Sequence, residues 1–143
     1  MGDAGRPQEL EHTAMLKTGI LNPQINSLLS RVRHTNMLVI ADRSFPFWPT
    51  IETVDIALID GIPTVMQVFQ AIQPNFVIGE VIMAREFREH NPPTVQDMFA
   101  TAFDRLTTTF EPHIALKQRV PRAIGLIRTG DPIAYANMIL VSA

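Results

Sequence analysis

RHTNMLVIADRSFP, running from Arg33 to Pro46, is the stretch on which the reading of this 143-residue chain turns. Its apolar run, Met37-Leu38-Val39-Ile40-Ala41, lies between polar His34 and Asp42. A run of that length bounded by polar and turn residues predicts a buried strand. Ligands of open α/β sheets gather at strand ends. The titratable residues on either side, His34 and Asp42, are therefore the first candidates for chemistry. The segment that follows, DRSFPFWPT over 42–50, holds two prolines, three aromatics and the only tryptophan. Proline removes a ladder donor, so this segment predicts a loop at the strand end.

Upstream, Asn22-Pro23 is a helix start, because Asn caps well and proline suits the first helical position. Ile25, Leu28, Leu29 and Val32 then recur at helical spacing and predict an amphipathic helix over 23–32. Downstream, residues 54–59 predict a second strand, ended by Asp60-Gly61, and Pro63 opens a helix facing inward through Val65, Val68, Phe69 and Ile72. A third strand is predicted over 76–83. Asn91-Pro92-Pro93 breaks the chain before a periodic helix carrying Val95, Met98, Phe99, Ala102, Phe103 and Leu106. Residues 107–110 are strand-prone, 112–120 predict a short helix, 123–127 a strand, 129–132 a turn and 134–141 a final strand. Strands alternating with helices imply a layered α/β domain. The last two strands, joined by a short turn, cannot be parallel neighbours, so the sheet is mixed.

Composition bounds the partners. Hydrophobic residues make up 46% and charged residues 18%, with a net charge of −2. No basic field for nucleic acid is present, and the low charge suggests that other subunits cover part of the surface. With no cysteine, disulfides and thiolate chemistry are excluded, which fits a reducing compartment. No apolar run approaches the ~20 residues that span a bilayer, and the polar, aperiodic residues 1–14 read as a loose extension without a signal-peptide core. A cytoplasmic protein without membrane contact is expected.

Several chemistries drop out by motif. There is no GxGxxG, no phosphate-binding GxxxxGK[ST] and no GxSxG elbow. Glu86 and His90, four residues apart, could share a helix face, but no dense ligand set surrounds them, so they read as a solvated turn and no metal site is expected. His12 reads as plain surface. The candidates left are His34, Asp42, His113, Lys117, Tyr135 and Asn137. In an extended strand Tyr135 and Asn137 share one face. Phenol and amide together form a row of donors and acceptors for hydroxyl groups. A buried Tyr and Asn satisfied by backbone would explain the same pair equally well.

From Met15 onward the chain resembles the ribose pyranase and fucose mutarotase (RbsD/FucU-like) family. The shared pieces are LKTGILN over 16–22, His34-Thr35, the strand ending in Asp42, Gly61-Ile62-Pro63 with Met66-Gln67-Val68, His90-Asn91-Pro92, His113 with Lys117, and Arg128-Thr129-Gly130 leading to Tyr135-Ala136-Asn137. Each piece is weak alone, and their order and spacing together are specific. The resemblance implies a single domain over 15–143, an α/β/α layered fold with a mixed, mainly parallel central sheet, and a cofactor-free sugar mutarotase assembled as a decameric ring. It implies His34 as proton donor, Asp42 as a sugar ligand, and Tyr135 and Asn137 as contacts to sugar hydroxyls. His113, with Lys117 nearby, matches a sugar-binding position that is His in ribose-type and Arg in fucose-type members. Arg43 stands where the ribose and fucose branches tend to have a small residue. Phe45-Pro46 leans towards the fucose branch and His113 towards the ribose branch, so the sugar is left open.

Elementary chemistry agrees. Opening a cyclic hemiacetal needs one acid and one base near neutral pH, and histidine, with an unperturbed pKa of about 6.5, suits either role. Asp42 can orient His34, accept a sugar hydroxyl or act as the base. Geometry poses one problem, since eight extended positions at ~3.3 Å each would hold His34 and Asp42 more than ~20 Å apart. Either His34 folds back, or one site draws the two residues from different subunits. A non-catalytic monosaccharide-binding protein serving transport or regulation is the competing reading.

Overall fold

The computed structural model describes residues 19–143; the extension at 1–14 and the start of the LKTGILN segment lie outside the described residues. Six strands form one sheet in the order β2-β5-β1-β6-β3-β4. They are β1 Met37–Ala41, β2 Glu52–Asp55, β3 Ile78–Ala84, β4 Thr107–Glu111, β5 Gly125–Arg128 and β6 Met138–Ser142. Pairs β2·β5, β5·β1 and β3·β4 are parallel, and β6 runs antiparallel to both β1 and β3. Five strands thus share one direction and β6 alone is reversed, which is the mixed, mainly parallel sheet predicted. The last two strands are not neighbours: β1 lies between them.

Alternation along the strands sorts the core into two layers. Leu38, Ile40, Val81, Met83, Ile127 and Leu140 belong to one buried cluster. This face is covered by α1 Pro23–Ser30, α2 Val65–Ile72 and α4 Pro93–Phe103. Val39, Ala41, Ile82, Leu126 and Ile139 face the other way, against α5 His113–Arg119 and the loop carrying Phe45 and Trp48. The order of layers is α/β/α.

The helix starts follow from their caps. Asn22 Oδ1 accepts from Ile25 N at 2.9 Å, with Pro23 at the first position as predicted. The helix read from Pro63 begins instead at Val65. Thr64 and Gln67 form a capping box there, Thr64 Oγ1 accepting from Gln67 N at 3.0 Å and Gln67 Oε1 from Thr64 N at 2.9 Å.

Other segments also differ from the sequence reading. Strand β2 covers Glu52–Asp55 rather than 54–59. Residues 58–62 turn back on themselves, Leu58 N donating to Ile62 O at 3.0 Å, and dock on Gly130, whose N–H donates to Pro63 O at 2.9 Å. A Cβ at Gly130 would collide with the carbonyl oxygens of Ile59 and Ile62. Strand β6 begins at Met138 rather than 134, because Tyr135 adopts φ 56°, outside the extended region. Tyr135 and Asn137 are therefore not ladder residues of one strand face. Finally, Glu86–His90, read as a solvated turn, forms a short helix, α3, rooted by buried Phe87.

Candidate active site

The C-terminal ends of the five parallel strands and the N-terminal end of β6 meet along one edge of the sheet. Asp42 follows β1 there, His113 follows β4, and Tyr135 and Asn137 precede β6. All four line one cleft of about 320 Å³, together with Phe45 and Ile133. Residues separated by nearly a hundred positions converge because the reversed β6 delivers its entry loop to the edge where the other strands exit.

Asp42 is buried. Asn137, also buried, holds it: Asn137 Oδ1 accepts from Asp42 N at 2.7 Å. Asp42 Oδ1 in turn accepts from Ser44 N at 3.0 Å, an Asx turn that starts the following loop. Burial raises the Asp42 carboxyl above the ordinary carboxylate value, nearby Asp131 adds to the rise, and hydrogen bonds from Ser44, Phe45 and Asn137 oppose it.

Asp131, read only as part of a turn, is the buried post of this loop. Its Oδ2 accepts from Val65 N at 2.9 Å and its Oδ1 from Ile133 N at 2.8 Å. Its own carbonyl accepts from Arg43 N at 3.0 Å. Thr129 completes the fixture, its Oγ1 donating to Ala41 O at 2.8 Å. An Asp before Pro within a turn was the one sequence signal for this role.

His113 opens α5. Its ring packs edge-on against Tyr135 at 5.1 Å and against Phe45 at 5.9 Å, and among the described residues its buried Nε2 has no protein partner. Burial lowers its pKa, Lys117 lowers it further, and Glu86 opposes both. This favours the neutral ring, in which one nitrogen donates and the other accepts. Lys117, one helical turn on, lines an adjoining groove with Phe47 and Trp48 rather than the cleft itself.

The structure does not bring His34 to this cleft. His34 sits in an exposed turn before β1, tied to the far end of β6 by Thr35 N donating to Ser142 O at 3.0 Å and Ser142 N to Asn36 O at 2.9 Å. Five extended residues put roughly 16 Å of strand between it and Asp42. His34 does not fold back within its own chain. Arg43 also leaves the cleft: its guanidinium pairs with Asp60 at 2.9 Å.

A model of the RbsD / FucU transport protein family matches residues 15–143. The chain belongs to this family. Among its relatives, the D-ribose pyranase of Clostridium novyi (strain NT) is 37% identical over 128 residues, covering 90% of this chain and 97% of the relative. The D-ribose pyranase of Geobacillus thermodenitrificans (strain NG80-2) is 35% identical, covering 90% and 96%. Bacillus subtilis RbsD, solved with D-ribose, superposes at a TM-score of 0.84 and 28% identity over 90% of this chain and 98% of that one. The fucose mutarotase of Streptococcus pneumoniae, solved with L-fucose, shares the fold at a TM-score of 0.76 and 16% identity, covering 90% and 98%. The isomerase class and the layered fold read from the sequence agree with these RbsD / FucU relatives. No helix among the described residues is long and apolar enough to cross a membrane.

Proposed function

We propose that this protein is a cofactor-free monosaccharide mutarotase that opens and recloses a sugar ring in the cleft at Asp42. The observation that carries this reading is the convergence of Asp42, His113, Tyr135 and Asn137 on one cleft. This set offers a carboxyl, a neutral imidazole, a phenol and an amide to a small polyol. A cyclic hemiacetal opens when a base takes the proton of the anomeric hydroxyl and an acid protonates the ring oxygen. The bond from the anomeric carbon to the ring oxygen breaks, and a carbonyl forms. Reclosure by the same hydroxyl on the other carbonyl face exchanges anomers, and reclosure by a different hydroxyl exchanges pyranose and furanose. Protons balance in either direction.

In this scheme Asp42, its carboxyl raised by burial, binds a sugar hydroxyl and is the candidate base. His113 Nε2 and the Tyr135 phenol take further hydroxyls. Asn137 keeps Asp42 in place and presents its amide. His34, exposed at the opposite sheet edge, acts as the acid in the cleft of a neighbouring copy, so the working form is a homo-oligomer with shared sites. A decameric ring in the cytoplasm is the assembly that this reading favours.

The test is NMR magnetisation exchange between sugar forms, run with ribose, fucose and related sugars. Added protein should speed exchange for at least one of them, and His34→Ala should remove the effect while binding partly persists. A second reading, a binding protein without catalysis, draws on the absence of His34 from the cleft of its own chain. It would be favoured by saturable sugar binding with no exchange enhancement across the panel.

A further inference from the structure

We propose that α3 is a brace for this cleft, in which Glu86 and His90 are positioning residues that hold His113 and Tyr135. The inference rests on the mutarotase reading above. Neither residue lines the cleft, yet each touches a residue that does. Glu86 Oε1 accepts the backbone N–H of His113 at 2.9 Å, fixing the start of α5 just after Pro112, which has no donor of its own. The His90 ring lies 5.1 Å from the Tyr135 ring, which His113 meets edge-on at the same distance, so two imidazoles flank one phenol.

The brace is itself anchored. His90 Nδ1 pairs with Glu86 O at 3.0 Å, which sets the orientation of the imidazole. The Phe87 ring packs 4.7 Å from Phe99 in the core. Asn91 Nδ2 spans Phe87 O at 2.8 Å and Ala134 O at 2.9 Å, clamping the residue before Tyr135. Tyr135 has φ 56°, a backbone region that L residues hold only when their surroundings fix them. Five residues of helix thus join two cleft walls that come from different elements, the head of α5 and the loop before β6.

The test uses the full chain and compares wild type with His90→Ala, His90→Phe, Glu86→Ala and Glu86→Gln by exchange kinetics. His90→Ala and Glu86→Ala should raise KM about fivefold or more with a smaller change in kcat. His90→Phe keeps an aromatic neighbour and Glu86→Gln keeps an acceptor, so both should return KM towards wild type. The chain has one tyrosine, so the Tyr135 ring gives a single assignable tyrosine spin system, and its ε-proton signal can be followed by NMR. That signal should shift in His90→Ala and report the contact without any turnover. KM unchanged in both alanine variants, or phenylalanine serving no better than alanine at position 90, would overturn the brace. A wild-type protein inert towards every sugar, with the Tyr135 signal still responding to His90→Ala, would instead count against the mutarotase reading.

Discussion

His34 and Asp42 flank a single strand, β1, yet lie at opposite edges of the sheet. A side chain cannot reach across five extended residues, so no monosaccharide can touch both within one chain. If both act on one sugar, the second must come from another copy.

Complementation follows from that separation. His34→Ala and Asp42→Asn should each lower exchange by roughly 10²- to 10⁴-fold, the usual worth of a general acid or base. Chains of the two kinds, dissociated and reassembled together, should regain activity, because some clefts then pair an intact Asp42 with a neighbour's intact His34. Failure to regain any activity, with mixed assembly confirmed by mass spectrometry, would refute a shared site.

Lys117 should act on His113 through charge. Lys117→Met should raise the His113 pKa, followed by the ring proton shift in an NMR titration, while burial still keeps it below the free value. Because the folded pKa is depressed, the unfolded chain takes the proton first as pH falls below about 6.5. Stability contributed by the neutral ring is thus present above that pH and is lost as pH drops towards the folded pKa. The variant should narrow this window and shift the acid limb of sugar binding to higher pH.

Removing Asn137 should cost stability as well as binding. Asn137→Ala leaves the buried Asp42 N–H without its acceptor at 2.7 Å, a loss of about 1–3 kcal/mol. Denaturant unfolding at fixed protein concentration measures it, and an unchanged midpoint would rule out the amide as a structural tie.

Arg43 should matter little to turnover. Its side chain pairs with exposed Asp60 and does not line the cleft, so Arg43→Ala should leave KM within about twofold of wild type, because no contact to bound sugar is removed. Phe45→Ala strips a buried wall of the cleft that packs on His113 and should raise KM and alter the preference among sugars. Comparing KM across a sugar panel for both variants decides the point.

The strand at 37–41 was legible because its boundaries are marked by polar residues and its interior is uniformly apolar. Asp42 stands out by its place at a strand end and Tyr135 with Asn137 by their spacing, while their expected roles and that of His113 come from the family resemblance; their meeting place depends on topology that no local pattern encodes. The reversal of β6 between β1 and β3 brings Asn137 to Asp42 across 95 positions. Tyr135 misled the strand reading because its left-handed backbone is imposed by the surrounding contacts rather than by its own preference. Glu86 and His90 are illegible for a related reason: their i, i+4 spacing speaks only to a shared helix face, whereas their partners lie on α5 and in the loop before β6.

The placement of β6 sets the order in which the molecule can be completed. It follows the other five strands in sequence and yet joins the β2-β5-β1 block to the β3-β4 pair. A nascent chain that ends before residue 138 holds two parallel fragments without the strand that hydrogen-bonds them into one sheet, each exposing an edge where β6 belongs. The cleft, which needs Asn137 at the head of that strand, is assembled only after the other five strands have been made.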